Sequence, residues 1–228
     1  MGMSFGSFDE YSDLSDFNGR TRLFPLPDVT IYPHVVQPLH VFEERYRELL
    51  ADAMESDQLI TMAVLRSGWE GAEEPLPVER AICVGRVLSN TALPDGRSNI
   101  LLLGLSRARI RRELPRSKLY REAEIELRED VYSAAGAGDR AMLQQRLLER
   151  FKQVLGGQSE MREQFEKLIT GAVTLGLLTD MITATLQLPP ATRLELLDEI
   201  DVDRRAQRLI DAMEPPRLSP YQWEFSDN

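Results

Sequence analysis

Apolar positions change period along the chain, and each period predicts an element. Phe42, Tyr46, Leu49, Leu50, Ala53 and Met54 recur at intervals of three and four, with Glu43, Glu44, Arg45, Arg47 and Glu48 between them. That spacing predicts an amphipathic helix. On either side the period is that of a strand. Leu23 and Phe24, then residues 29–32, form short apolar runs broken by Pro25, Pro27 and Pro33, and an extended pattern resumes after Pro38. Proline cannot donate to a ladder, so these runs are expected at sheet edges or bulges. Residues 59–65 are almost continuously apolar, as are 82–88 on the way to Leu93. Pro94, Asp95 and Gly96 then supply a hairpin turn, because proline presets one dihedral and glycine accepts positive φ. Past Leu105, Ala108 and Ile110 alternate with Arg107, Arg109 and Arg111, and Ala123, Ile125 and Leu127 alternate with Glu122, Glu124 and Glu126. Both patterns are those of half-buried strands.

Beyond residue 131 the strand signals cease. Residues 133–138 have the small, glycine-rich content of a linker. Asp139 is placed to cap a helix running to Leu155, with Met142, Leu143, Leu147, Phe151 and Leu155 on its apolar face. Further helices are predicted at 160–169, at 175–186, from Pro189–Pro190 through Ile200, and at 202–213 after the capping Asp201. The layout is α+β: a disordered arm at 1–21, a β-rich lobe with one helix at 22–132, a linker at 133–138, a helical lobe at 139–214 and a mobile tail at 215–228.

Charge and chemistry narrow the function classes. No apolar run in the 228 residues approaches the ~20 needed for a membrane span, and the N-terminus lacks a secretory pattern. One cysteine, Cys83, permits no internal disulfide and fits a reducing, cytoplasmic setting. A net charge of −10 argues against general nucleic-acid binding. Segment 107–121 departs from this, with seven cations against Glu113. Pairing of 107–111 with 122–126 would set its arginines against glutamates. There is no phosphate-binding Gly-rich loop ending in Lys–Ser/Thr. Lysine is confined to Lys118, Lys152 and Lys167, and Ser117 beside Lys118 sits in a turn. His34, His40 and Cys83 lack the tight local spacing of a zinc site. The residues thus predict no catalytic centre, no metal and no cofactor.

Five ordered blocks carry a resemblance. These are Leu26-Pro27-Asp28-Val29 with Tyr32-Pro33 and Pro38-Leu39; Val84-Gly85-Arg86-Val87; Leu93-Pro94-Asp95-Gly96; Gly104-Leu105-Ser106-Arg107; and, in the helical half, Asp180-Met181-Ile182 with Leu188-Pro189, Leu196-Leu197-Asp198, Asp201-Val202, Arg205 and Leu209. Together they resemble the N-terminal substrate-recognition domain of Lon proteases over residues 23–213. The resemblance implies a twisted β-barrel-like sheet related to PUA domains, followed by a helical bundle. It also implies a stand-alone protein without the ATPase and peptidase modules. The expected role is non-catalytic binding of unfolded client polypeptides, as an adaptor or regulator beside an ATP-dependent protease. Such a module needs an exposed apolar patch or a free strand edge. The candidate residues are Tyr32, His34, Val35 and Val36 in one loop, Trp69 in a second, and Arg107, Arg109 and Arg111 in the basic strand. An RNA-binding role for segment 107–121 is the alternative, and the proline-rich opening is expected to shape strands with its histidines as bystanders.

Overall fold

In the computed structural model, which describes residues 13–156 and 173–213, six strands form one sheet. They are β1 (Arg20–Leu26), β2 (Val36–Val41), β3 (Leu59–Val64), β4 (Ala81–Ala92), β5 (Ser98–Glu113) and β6 (Arg121–Arg128). Pairing runs β5–β4–β3–β1–β6 and returns from β6 to β5, so five strands close into a barrel, with β2 added along the first half of β5. Every pair is antiparallel except β1–β3. Closure depends on the length of β5, whose first half serves β2 and β4 while its second half serves β4 and β6. Full closure removes sheet edges, which leaves β2 as the edge strand.

The near-continuous apolar runs of β3 and β4 reflect burial on both faces. Leu59, Ala63, Ile82 and Val84 point into the barrel with Leu23, Ala108, Ile110, Ala123 and Ile125. Ile60, Met62, Ala81 and Cys83 point outward into a second core shared with the helices. There Tyr46, Leu49, Leu50 and Ala53 of α1 (Glu44–Met54) are buried. The same core takes Leu147 and Phe151 of α2 (Arg140–Leu155), Leu178 and Ile182 of α3 (Leu175–Thr185), Leu196 and Leu197 of α4 (Pro190–Asp198), and Leu209 of α5 (Val202–Ala212). One continuous apolar core therefore joins barrel and helical lobe. Among the described residues no helix is long and apolar enough to cross a membrane.

Several local expectations shift. Order begins before Arg22: Leu14 and Phe17 pack on the barrel interior, Arg86 donates to the Asp13 carbonyl at 2.8 Å, and β1 starts at Arg20. Pro25 lies inside a paired strand, opposite Ala63 of β3. It is tolerated because β6 pairs only residues 20–23 of β1, so β1 has no second neighbour at Pro25. Pro38 sits on the edge strand as expected. Phe42 precedes α1 and is 57% exposed, and Met142 is 60% exposed on α2, so neither joins the core. The segment 133–138 is tied down: Ala134–Gly136 forms a 3-10 turn, Arg140 donates to the Ser133 carbonyl at 2.7 Å, and Val131 bridges Asp201. Asp139 stands at the start of α2 without making a capping bond, whereas Asp201 caps α5 by accepting the Arg204 amide at 3.0 Å. The helix expected at 160–169 and the tail at 215–228 lie outside the described residues.

Candidate peptide-binding groove

The second half of β5 builds the site. Alternation sends Ala108 and Ile110 into the barrel and turns Arg107 and Arg109 toward the helical lobe. Arg107 is 3% exposed and donates through two nitrogens to Asp180 of α3, one bond being 3.0 Å. It also reaches Asp130 at 3.3 Å. Arg205 of α5, fully buried, donates to both oxygens of Asp130 at 2.8 and 2.6 Å, to the Glu199 carbonyl at 2.9 Å and to the Thr179 hydroxyl at 3.1 Å. Two guanidiniums and two carboxylates thus neutralise one another between barrel and helices. Burial alone would push the Arg107 pKa down, but Asp180, and then Asp130, outweigh it and hold the group above its ordinary value. Arg109 adds a second tie through Asp198 of α4, with one bond of 2.7 Å.

The Gly104-Leu105-Ser106-Arg107 block now has a physical reading. A Cβ on Gly104 would stand 2.1 Å from the Tyr32 carbonyl oxygen. Only glycine lets the loop before β2 lie on β5, where His34 donates to the Gly104 carbonyl at 2.8 Å and Gly104 donates to the Val35 carbonyl at 2.9 Å. Arg107 at the end of the block locks the helical lobe on. Asp180, Asp198 and Arg205, which appeared only as blocks of a resemblance, complete the ionic contacts: Asp180 pairs with Arg107, Asp198 with Arg109 and Arg205 with Asp130. Asp130 carried no signal at all in the sequence.

Between barrel and helices two clefts remain open. The smaller, about 290 Å³, is lined by Pro33, Leu105, Tyr132 and Leu177 together with His34, Thr174 and the charged Arg107, Glu129 and Asp130. The larger, about 480 Å³, lies between Arg80, Arg109, Arg111 and Glu126 of the barrel side and Leu194 and Glu195 of α4. Arg128, the last residue of β6, lines both and joins them into one groove.

The structure sorts the candidate residues. His34, with φ of 66°, is exposed and lines the smaller cleft, and Arg109 and Arg111 line the larger. Tyr32 does not reach the surface: it is 1% exposed, burial raises its pKa, and its hydroxyl donates to the Arg193 carbonyl at 2.9 Å. Val35 packs half-buried on the shared core, and Val36 starts the edge strand β2. Trp69 rests on the barrel interior from its 3-10 turn and lines neither cleft. Arg107, 3% exposed, is engaged by the interior lock and borders the smaller cleft from there.

The remaining cations of segment 107–121 are also compensated. Arg111 pairs with Glu126 at 2.8 Å, Arg112 with Glu124 at 2.5 Å, Lys118 with Asp52 at 2.8 Å and Arg121 with Glu113 at 2.6 Å. Among the described residues only Arg116 of this segment lacks a carboxylate, so the free cationic stripe that phosphate binding draws on is missing. Lys118 is turned to Asp52 and Ser117 donates to Glu122, so the two do not form a nucleophile–base pair. Cys83 is fully buried and His40 bonds Asn99 at 2.7 Å on the outer face. Among the described residues no three His, Cys, Asp or Glu side chains gather as metal ligands.

Comparison with known proteins agrees with this architecture. The chain is 25% identical over 197 residues to the Lon protease of Roseiflexus castenholzii, covering 86% of this chain and 24% of that protein. Against Lon protease 3 of Sorangium cellulosum it is 27% identical, covering 86% and 23%. It therefore spans about a quarter of the length of these curated relatives. The N-terminal domain of Mycobacterium avium complex Lon protease superposes with a TM-score of 0.67 at 17% identity, covering 85% of this chain and 97% of that one. A Lon N-terminal domain protein from Xanthomonas campestris gives 0.60 at 21% identity, covering 84% and 97%. With residues 20–214 matching its model, the chain belongs to the family of the ATP-dependent protease La (LON) substrate-binding domain.

Proposed function

We propose that this chain is a non-catalytic polypeptide-binding module that receives extended client segments in the groove between barrel and helical lobe. The observation that carries the reading is the groove itself: two clefts that share Arg128, each lined by apolar and charged side chains together. The apolar groups reward burial of a client side chain, and the polar ones orient its backbone. Family membership supports substrate recognition, and we extend it to an adaptor or regulator role in ATP-dependent proteolysis in the cytoplasm. The pairing of the basic segment with carboxylates weighs against the RNA alternative.

The test is fluorescence anisotropy with one labelled polypeptide in its unfolded and its folded form. The unfolded form should bind and the folded form should not. Absence of binding by either at about 100 μM, equivalent to less than about 5.5 kcal/mol of affinity, would defeat the proposal. The purified protein should leave the bound polypeptide uncut.

A further inference from the structure

Arg128 stands apart from the other arginines around it. In the β5–β6 ladder it lies directly opposite Arg107, and like charges so placed repel. Arg107 is relieved by Asp180 and Asp130, whereas Arg128, half-buried, has no carboxylate partner among the described residues. Arg80, across the larger cleft, has none either. The other cations of that cleft are satisfied, Arg109 by Asp198 and Arg111 by Glu126, and its Glu79 lies 4.0 Å from Arg66. Glu195 is the one acid there without a cation among the described residues. The larger cleft is lined by four arginines and four carboxylates, so its formal charge balances; what it leaves unmet is the half-buried guanidinium of Arg128. Glu129, next to Arg128, and Arg80 are both exposed, where solvent screens them, so Arg128 is the cation that carries the argument. Beyond Arg128 the smaller cleft offers the apolar side chains of Pro33, Leu105, Tyr132 and Leu177, beside an Asp130 that Arg107 and Arg205 already engage.

We infer that the groove selects client segments in which a carboxylate side chain neighbours a large apolar one, with Arg128 and Arg80 receiving the carboxylate and the smaller cleft the apolar group. The inference rests on the binding role proposed above and assigns its specificity. Guanidinium is suited to this, since its planar fork can meet both carboxylate oxygens at once. Because Arg128 lines both clefts, the occupant is an extended segment that can reach from one cleft to the other rather than a folded surface.

The experiment uses two labelled peptides of one sequence, one with Glu beside Leu and one with Gln in place of that Glu. They are titrated against the parent chain and against Arg128→Gln, Arg128→Lys, Arg80→Gln and Leu177→Ala. The parent should prefer the Glu peptide by about tenfold or more, the expected size of a charge-assisted bond. The preference should shrink as salt rises. Arg128→Gln should remove the preference by weakening the Glu peptide more than the Gln peptide, Arg128→Lys should restore part of it, and Arg80→Gln should reduce it. Leu177→Ala should weaken both peptides alike. Equal binding of the two peptides by the parent overturns this inference and leaves the binding role standing. Binding of neither peptide, together with failure of the unfolded polypeptide to bind, removes both. Unchanged melting midpoints would show that the arginine variants remain folded.

Discussion

Replacing Asp180 by Asn removes one charge from the buried lock and little else, because the two side chains are nearly isosteric. Asp180 is 1% exposed and accepts two bonds from Arg107, and its carboxylate lies 3.7 Å from Arg205. After the change Asp130 alone must serve two guanidiniums, and it is already engaged through both oxygens by Arg205. Removing one partner of a buried pair costs about 3–5 kcal/mol, because the remaining charge stays desolvated. For a chain of this size each kcal/mol moves the melting midpoint by about 2–4 °C, so a fall of roughly 6–20 °C is expected. Urea unfolding followed by circular dichroism reads the same quantity, provided the slope is unchanged so that stability alone has moved. The double variant Arg107→Met/Asp180→Leu should recover most of the loss, since apolar isosteres often replace a buried ion pair at little cost. An Asp180→Asn chain within about 1 kcal/mol of the parent would refute the reasoning, because the lock would then not be desolvated.

Other substitutions probe other levels of the structure. Gly104→Ala drives a Cβ against the Tyr32 backbone and should cost about 3 kcal/mol or more. Gly85→Ala meets only the Leu102 side chain, at 2.8 Å, and should cost about 1–2 kcal/mol, with chemical denaturation ranking the two. Asp201→Ala should cost about 1 kcal/mol at neutral pH through loss of the α5 cap. The Arg204 amide holds the Asp201 carboxyl below its ordinary 3.8, so the cap's charged contribution is complete above that value and fades as pH falls through the lower folded value. Melting midpoints of parent and variant should converge in that acid range. Burial pushes the Cys83 thiol up to about 12, so a disulfide reagent at neutral pH should label it only at the rate of unfolding; stoichiometric labelling in a native-buffer burst would contradict its placement.

What was legible in the chain was what local spacing encodes. Tyr46, Leu49, Leu50 and Ala53 announced α1, Asp201 announced the start of α5, and Gly96, with φ of 79°, announced the β4–β5 hairpin. The expected pairing of 107–111 with 122–126 holds, and Arg111 and Arg112 do meet glutamates across it. Arg107 and Arg109 do not, because the lobe packed on that face offers each a carboxylate, the buried Asp180 and the partly exposed Asp198. Asp180 lies 73 residues from Arg107 and Asp198 lies 89 from Arg109, distances at which no periodicity operates. The same holds for Tyr32, whose burial is decided by Arg193, 161 residues away. The groove was illegible for this reason: its walls come from the loop before β2, the start of β4, the second half of β5, the end of β6, the start of α3 and the second half of α4, which only the closed fold brings together.

An apolar core tolerates small slips of a helix, whereas a buried charge does not, and this difference bears on how the groove keeps its shape. Arg107 takes its partner from α3, Arg109 from α4, and Asp130 takes Arg205 from α5, so each helix facing the barrel is fixed by an ionic contact of its own. A one-turn shift of α3 or α5 would strand a desolvated charge at a cost of several kcal/mol, whereas the partly exposed Arg109–Asp198 pair holds α4 less firmly. The apolar contacts of the shared core impose no comparable register. On this reasoning the ionic lock contributes geometry more than stability. Replacing Arg107, Asp130, Asp180 and Arg205 together by apolar residues of similar volume should leave the melting midpoint near that of the parent while weakening capture of unfolded polypeptide severalfold. Undiminished capture by that variant would mean that packing alone sets the groove, and the buried charges would then have no role in recognition.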